Sequence, residues 1–496
     1  MGRLIGQGRK RIIIDKEINK DTIIDVLLEA WSYHRDNIKD MMYLINYYKG
    51  QQDISKRNPS YSSGINNKIT VNYAYSSVRD LVGYTFGKPT QIIQRKTRYK
   101  KDIEKIADIM EYENSSTVDN EVATMTAITG IGYLCTLPTE ELYSDYMPDV
   151  PLKINALDVL STFVVQSAKM GNPEVLSCTY YTDKVNTYFL CFTDTEIYRI
   201  TCKGKNSLNK SMAAVVDVDV NPLGLNPIIM VQNNNFLMGD FETAISVLNA
   251  LNQIASDSVN DIENVIKSLL VIINAELNEN TTKKIKQNRI LEIVGNIGSN
   301  VDAKFIYQQL DSMGVQNLRE YFEEAYKVII GIPDRKTRGG GGGDTGDAVK
   351  LRDGWADIEI VARIKESYFK IAKKKQLAVI ISILQKLNLI NSSVKTIDID
   401  VKFSRNKNDN LQSKAQSYST LIGTKTITPE DALTIADMTT DSVEIAAKGK
   451  KYWEEQAQQT LENMQKAATQ TTTNNQVNKS EVTPKEQNTL NNKANG

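Results

Sequence analysis

The chain has 496 residues, 41% of them hydrophobic, with 60 basic and 60 acidic side chains and a formal net charge of zero. Its length is too great for one compact core and fits about two to four domains. The charge balance argues against a protein that coats nucleic acid through bulk positive charge, and no run of ~18 apolar residues is present to span a membrane.

The N-terminus is basic at Arg3, Lys10 and Arg11, but Ile12-Ile13-Ile14 is too short for a signal-peptide core and Asp15 ends it. Thr22 to about Gly50 reads as a helix on the spacing of Ile23, Val26, Leu27, Trp31, Ile38, Met41 and Leu44, and Gln51 to Gly64 as a polar loop. Asn66 to Tyr73 leads into a helix through Val82, which Gly83 to Pro89 ends, and Thr90–Gln94 is extended. Short helices are expected over Lys101–Tyr112 and from about Asn114 to Met125, after which Thr129-Gly130-Ile131-Gly132 turns into a strand. From there to about Gln232 the pattern is β-rich. Leu160–Gln166, Val175–Thr182, Thr187–Phe192, Glu196–Cys202 and Ala214–Val218 are β-branched or aromatic runs broken by polar turns.

The stretch from Asn233 to Arg352 organises the rest. Gly239, Asp240, Phe241 and Glu242 open it, with Asp240 placed to cap a first turn. Apolar residues then recur at helical spacing from Phe241 through Leu248, Val259 and Ile266 to Ile273. A helix from Asp240 to about Ala275 would be roughly 50 Å long at ~1.5 Å per residue. A short β-like insert and a second helix over Asp311–Ile330 follow, ended by Gly331-Ile332-Pro333. Next come Gly339, Gly340, Gly341, Gly342 and Gly343 in a row, and a long helix from Asp357 to about Leu389. Thr396–Phe403 alternates as a strand, and helices are expected over Asp409–Ile422 and Glu430–Met438, the latter with Thr428 as cap and Pro429 in its first turn. Glu444 to about Lys466 is a polar helix. From Ala467 the composition collapses into Thr, Asn, Gln and Lys, as in a disordered tail. The fold class is α+β, mainly helical, with two long helices that suggest a shaft rather than a pocket.

Residues that could carry chemistry are few. Cys135, Cys178, Cys191 and Cys202 lack CxxC spacing and read as free, buried or half-buried thiols rather than zinc ligands. The single histidine, His34, lies in a helical segment, and no GxSxG motif accompanies it. Gly343 is followed by Asp344-Thr345-Gly346-Asp347, where a Walker A loop needs Lys and Ser/Thr. Asp398 and Asp400 are read as the polar face of a half-buried strand rather than a Mg²⁺ pair, and Asp158 and Asp194 likewise. No catalytic residue, metal or cofactor is implied, and the expectation is a protein that is not an enzyme.

Several blocks resemble, in order, the portal proteins of tailed bacteriophages, in particular the SPP1-like (Gp6-type) branch. They are Tyr48-Lys49-Gly50 ahead of Asn66-Asn67-Lys68-Ile69 and Val71-Asn72-Tyr73; Val82-Gly83-Tyr84-Thr85-Phe86-Gly87-Lys88-Pro89, the most specific; and Gly130-Ile131-Gly132-Tyr133. Asn221-Pro222-Leu223-Gly224, Asn226-Pro227-Ile228-Ile229, Asn233-Asn234 and Gly239-Asp240-Phe241-Glu242 resemble the segment leading into a first stem helix, which Ser256 and Asn260-Asp261-Ile262-Glu263 continue. Phe403-Ser404-Arg405-Asn406 is similar to a later element of the family. The run of five glycines departs from the family's pattern.

The resemblance implies a homo-oligomeric ring of usually about twelve copies at one capsid vertex. Such a ring passes double-stranded DNA and docks terminase and later a head-completion or connector protein, beside major capsid and scaffolding proteins. It implies a virion component assembled in the host bacterial cytoplasm, with no membrane partner. It also implies an N-terminal arm (1–20), a wing (21–235), stem helices (236–275 and 311–332), a clip (276–310) and a tunnel loop (333–353). A long wing or tunnel helix and strand (354–406), a helical crown (407–466) and a disordered tail (467–496) complete it. Arg335, Lys336, Arg338 and Lys350 around the glycines would touch phosphates in the channel, and Lys283, Lys284, Lys286 and Arg289 would lie at the docking mouth of the clip. Lys373-Lys374-Lys375 is either a channel-facing patch or a solvated face, the latter favoured. The alternatives are a helical scaffold of the virion without a channel and a nucleotide-dependent packaging enzyme.

Overall fold

The structure is a computed structural model that describes residues 7–58, 65–95, 97–139, 150–266, 269–273, 302–306, 312–333, 355–404, 411–424, 427–436, 438 and 442–477. The chain divides into two units, Met1–Lys407 and Asn408–Gly496.

In chain order the first unit begins with β1 (Ile12–Ile14), α1 (Ile23–Tyr48), α2 (Tyr73–Phe86), β2 (Gln91–Gln94), α3 (Lys100–Tyr112) and α4 (Ser115–Thr129). A β-rich stretch follows: β3 (Ile131–Pro138), β4 (Leu152–Leu157), β5 (Thr162–Ser167), β6 (Glu174–Thr182), β7 (Asn186–Phe192), β8 (Glu196–Lys203), β9 (Ala213–Val220) and β10 (Ile228–Gln232). Then come α5 (Ile245–Ile266), β11 (Leu269–Ile273), β12 (Asp302–Ile306), α6 (Ser312–Ile330), α7 (Trp355–Lys386) and β13 (Ile399–Lys402).

Two sheets divide the β-rich stretch. The larger has the order β1-β5-β6-β7-β8-β9, the smaller β10-β3-β4. Neighbours are antiparallel except that β1 runs parallel to β5. The N-terminal half of α1 buries Ile23, Val26, Leu27, Ala30 and Trp31 on the larger sheet, against Phe163, Phe189 and Tyr198. The other face of the fold is a second core, in which α2, α3 and α4 pack with the smaller sheet, the start of α5, the end of α6 and most of α7. The second unit contains α8 (Leu411–Gly423), α9 (Pro429–Ile435) and α10 (Ser442–Val477). As expected, Pro429 stands in the first turn of α9 and the Thr428 side chain accepts the Asp431 N–H.

Most helices fall where the periodicity places them, but four readings need correction. The long helix stops at Ile266 rather than Ala275, because Leu269-Leu270-Val271-Ile272-Ile273 pairs as a strand with Asp302–Ile306. Only Ile399–Lys402 of the expected strand pairs, with Gln91–Gln94, while Thr396–Asp398 winds as a 3₁₀ turn in which the Asp398 carboxylate accepts the Lys395 N–H. Asp398 is therefore buried rather than on a polar strand face, whereas Asp400 meets Lys370 at 2.8 Å and Arg95 at 3.4 Å. The polar C-terminal helix also runs on to Val477, past the point where the tail was expected to begin.

All four cysteines are free and buried. His34 is buried too, against Trp31, Phe163 and Tyr180, with Nε2 3.2 Å from the Leu160 carbonyl. Burial lowers its pKa from 6.5 to about 4. As pH falls, the unfolded chain takes up this proton first, so stability is intact above pH 6.5 and declines between 6.5 and about 4. The loss amounts to at most about 3 kcal/mol. A His34→Asn variant, polar but not titrating, is expected to lose urea midpoint more slowly than the parent from pH 7 to 4.5. Parallel declines would refute the assignment.

Candidate functional site at the root of the long helix

Of the site residues read from the sequence, Arg335, Lys336, Arg338, Gly339–Gly343, Lys350, Lys283, Lys284, Lys286 and Arg289 lie outside the described residues. Gly239, Asp240, Phe241 and Glu242 are described, and they form a densely connected junction at the start of α5.

Asp240 does not cap the helix. Its backbone N–H donates to the Ala127 carbonyl at 2.7 Å, and its carboxylate receives Lys365 Nζ at 2.6 and 2.7 Å and Asn233 Nδ2 at 2.7 Å. Asn233 Oδ1 accepts from the same ammonium at 2.7 Å. Glu242 ties the preceding loop to the N-terminal segment. One of its oxygens accepts the Gly239 N–H at 3.1 Å, while the other meets Arg9 at 2.7 Å, both side chains almost wholly buried. The first turn is 3₁₀, over Glu242–Ala244. Phe241 is fully buried and stacks on Tyr47, whose hydroxyl donates to Asn249 Oδ1 at 2.9 Å.

Two glycines permit this junction. A β-carbon on Gly239 would collide with the Ile128 carbonyl oxygen, and one on Gly130 with that of Leu237. Gly130 also sits at φ +89°, a conformation open to glycine and strained for other residues. The turn ending α4 and the loop preceding α5 are thereby in direct backbone contact.

Further along α5, Asn252, Ser256 and Asn260 stand four residues apart on one buried face. Asn252 Oδ1 accepts the Val71 N–H at 2.8 Å, Ser256 Oγ that of Ile69 at 2.9 Å, and Asn260 Oδ1 that of Asn67 at 2.8 Å. Four helical residues rise about 6 Å and two extended residues about 6.6 Å. The match lets a helix face act as the missing partner strand for an extended segment. Beyond that segment the Tyr326 hydroxyl of α6 meets Ser77 Oγ of α2 at 2.7 Å.

α7 ties the unit together through charges, and the sequence reading of one of them needs correction. Lys373 belongs neither to a solvated face nor to an exposed patch. Its ammonium is wholly buried, 3.0 Å from Asp119 and 3.2 Å from Ser115 Oγ of α4. Burial pushes the Asp119 carboxyl up, and Lys373 and Thr90 pull it part of the way back. Lys375 reaches Glu174 of β6 at 2.8 Å. Arg9, Asn233, Lys365 and Asp119 were missed as partners, yet one signal existed. Lys365, Lys373 and Gln376 occupy the same helical register as Ile358, Ala362, Phe369, Ala372 and Ile380, all buried.

Among the described residues no group of three or more His, Cys, Asp or Glu could hold a metal ion, and no helix is long and apolar enough to cross a membrane. The junction positions helices; its ionised groups are consumed by one another.

Comparison with known proteins places the chain in a class consistent with such a scaffold. Residues 28–470 match the family described as phage portal protein, SPP1 Gp6-like. The chain belongs to that family. Two solved structures are similar at 11% identity: the neck of an empty GTA particle computed with C6 symmetry, with a TM-score of 0.47 over 80% of this chain and 93% of that one, and the neck of a native GTA particle computed with C12 symmetry, with a TM-score of 0.44 over 73% and 88%. No curated protein matches.

Breaking the buried pair on one side strands a charge, at a cost of about 3–5 kcal/mol. Asp240→Asn and Lys365→Met are each expected to lose that much unfolding free energy in urea, and the double variant less than their sum. Additive losses would show that the two groups do not act as a pair.

Proposed function

We propose that the chain assembles into a ring of about twelve copies at one vertex of a phage capsid. The ring is the conduit for double-stranded DNA during packaging and ejection. It is also the platform on which terminase, and then a head-completion or connector protein, docks. Its neighbours are the major capsid and scaffolding proteins, and it assembles in the host cytoplasm before it becomes part of the virion.

An apolar stripe left in water on α7 carries the ring. Lys365, Lys373 and Gln376 face the core, while Ile360, Ile364 and Ile371 are 58%, 51% and 58% exposed along one stripe. On α6, Leu318, Tyr321 and Val328 are also exposed, and on α10 Trp453, Leu461 and Met464. Each large apolar side chain moved out of water contributes about 1.5–3 kcal/mol. A second copy of the chain suits these stripes, because every copy carries them and repetition closes a ring.

Within that reading α5 and α6 form the stem, residues 21–235 the wing, 276–310 the clip, 333–353 the tunnel loop and 407–466 the crown. Arg335, Lys336, Arg338 and Lys350 supply the basic girdle around Gly339–Gly343, and Lys283, Lys284, Lys286 and Arg289 the docking mouth. DNA must slide, so phosphate contacts that ions can replace suit the task better than contacts to base edges. No covalent step is asked of the protein.

Electron microscopy with mass measurement of the purified protein is expected to show rings with a central hole wide enough for duplex DNA. A closed oligomer without a channel would overturn the reading. Ile360→Lys with Ile364→Lys is expected to raise the concentration needed for assembly at least about tenfold; unchanged assembly would remove this stripe from the interface. Arg335→Ala, Lys336→Ala and Arg338→Ala together should flatten the salt dependence of DNA binding by roughly 0.9 in log–log slope for each phosphate no longer neutralised. An unchanged slope would take these residues out of the channel.

A further inference from the structure

β6 and β7 pair without a register shift from Ser177–Phe192 to Thr182–Thr187, and Cys178 stands opposite Cys191. At the turn, the Asp183 N–H donates to the Asn186 carbonyl at 3.0 Å. Hydrogen-bonded and non-hydrogen-bonded pairs alternate along an antiparallel ladder. Counted back from Asp183–Asn186, the pairs 181–188 and 179–190 are hydrogen-bonded, and Cys178–Cys191 is not. The Tyr180 N–H agrees, since it points away from β7 to the Ser161 carbonyl at 2.9 Å.

In a non-hydrogen-bonded pair the side chains lie closest, with Cα atoms about 4.5 Å apart, at the short end of the range of about 4.4–6.8 Å that a disulfide spans. The two sulfur atoms are 2.7 Å apart, against about 2.0 Å for the covalent bond. Cys135 and Cys202 have no such neighbour, facing Ile228 and Asn155, and Thr187 and Ala213, across their ladders.

The geometry points to a redox-closed staple: Cys178 and Cys191 form an intrachain disulfide when the folded chain meets a peroxide. The thiolate of one cysteine attacks a peroxide oxygen. The O–O bond breaks, and the departing hydroxide takes the proton that the thiol released, leaving a sulfenic acid and water. The second thiol attacks the sulfenic sulfur; the S–O bond breaks, the S–S bond forms, and a second water leaves with the remaining proton. The thiols give up two electrons in all, and the peroxide is reduced to water.

Closure is slow, because both cysteines are fully buried, and burial together with the Cys191 thiol pushes the Cys178 thiol up. The reaction waits on local opening of the hairpin. The same opening admits a thiol reductant, which reverses the bond by thiol–disulfide exchange. What it locks is a packing unit: Tyr180 and Phe189 of this hairpin hold Trp31 of α1 at ring separations of 4.8 and 5.4 Å.

The test treats the purified full-length protein with hydrogen peroxide, then measures non-reduced intact mass, thiols titrated after denaturation, and the peptide map. The expected result is loss of two hydrogen masses and of two of the four thiols. One Cys178–Cys191 cross-linked peptide pair should appear, all of it reversed by dithiothreitol. The thermal midpoint of the larger unit should rise by about 3–6 °C, a shift absent in Cys178→Ser and Cys191→Val. Oxygen addition at either cysteine without a cross-link, or all thiols still titrating, overturns the proposal on the parent protein alone.

Discussion

Buried charge is the constraint from which the larger unit takes its arrangement. An ammonium or carboxylate removed from water costs several kcal/mol unless a partner meets it, and α7 carries two ammonium groups into the core. Lys365 and Lys373 are eight residues apart, about 12 Å along a helix. Their partners, Asp240 with Asn233 and Asp119 with Ser115, sit on different segments. A slip of one turn would displace both ammonium groups by about 5.4 Å and leave both unpaired. Apolar side chains alone would tolerate several registers of α7. The two lysines select one, and Arg9 with Glu242 does the same for the N-terminal segment where it crosses the start of α5.

The same logic, with neutral groups, fixes the extended segment before α2. Backbone N–H groups at Asn67, Ile69 and Val71 have no sheet to join, and an unmet buried donor costs about as much as a lost hydrogen bond. The polar face of α5 supplies the acceptors at a spacing that extended chain can follow. This aligns α2, whose N-cap Asn72 follows directly and accepts the Tyr75 N–H at 3.2 Å. The direction of α5 is thus set at its root by ionic pairs and along its length by amides and a hydroxyl.

What the sequence made legible divides along physical lines. Helices and strands with an apolar face and recognisable ends, such as Ile23–Tyr48, Ser312–Ile330 and Pro429–Ile435, follow from periodicity and capping. Leu269–Ile273 did not, because a continuous apolar run satisfies helix and strand templates equally and its partner lies about thirty residues away. Ile12–Ile14, Leu152–Leu157 and Ile228–Gln232 were also missed as strands. The first is short and depends on parallel pairing with β5, and the others are held by β3 between them. Lys373 was misread for a different reason. Flanked by Lys374 and Lys375, it looks like part of a solvated cluster, and only the exact helical register, with Asp119 far away in sequence, shows it to be inside. The junction at Gly239–Glu242 was legible as a motif but not as a mechanism, since Arg9 and Lys365 reach it from 233 and 125 residues away in the sequence.

The two faces of α7 bear on what the molecule is for. A helix that served only its own chain would leave few large apolar side chains in water. Here Lys365 and Lys373 are inside and paired, so the fold of the single chain asks nothing more of them. Ile358, Ile380, Ile381 and Ile383 are inside as well, whereas Ile360, Ile364 and Ile371 stay more than half exposed. Polar groups satisfied within the chain and apolar groups left in water describe a molecule whose internal register does not depend on what covers that stripe. In a chain of the phage portal protein family, that separation keeps the internal register independent of the surface the stripe presents.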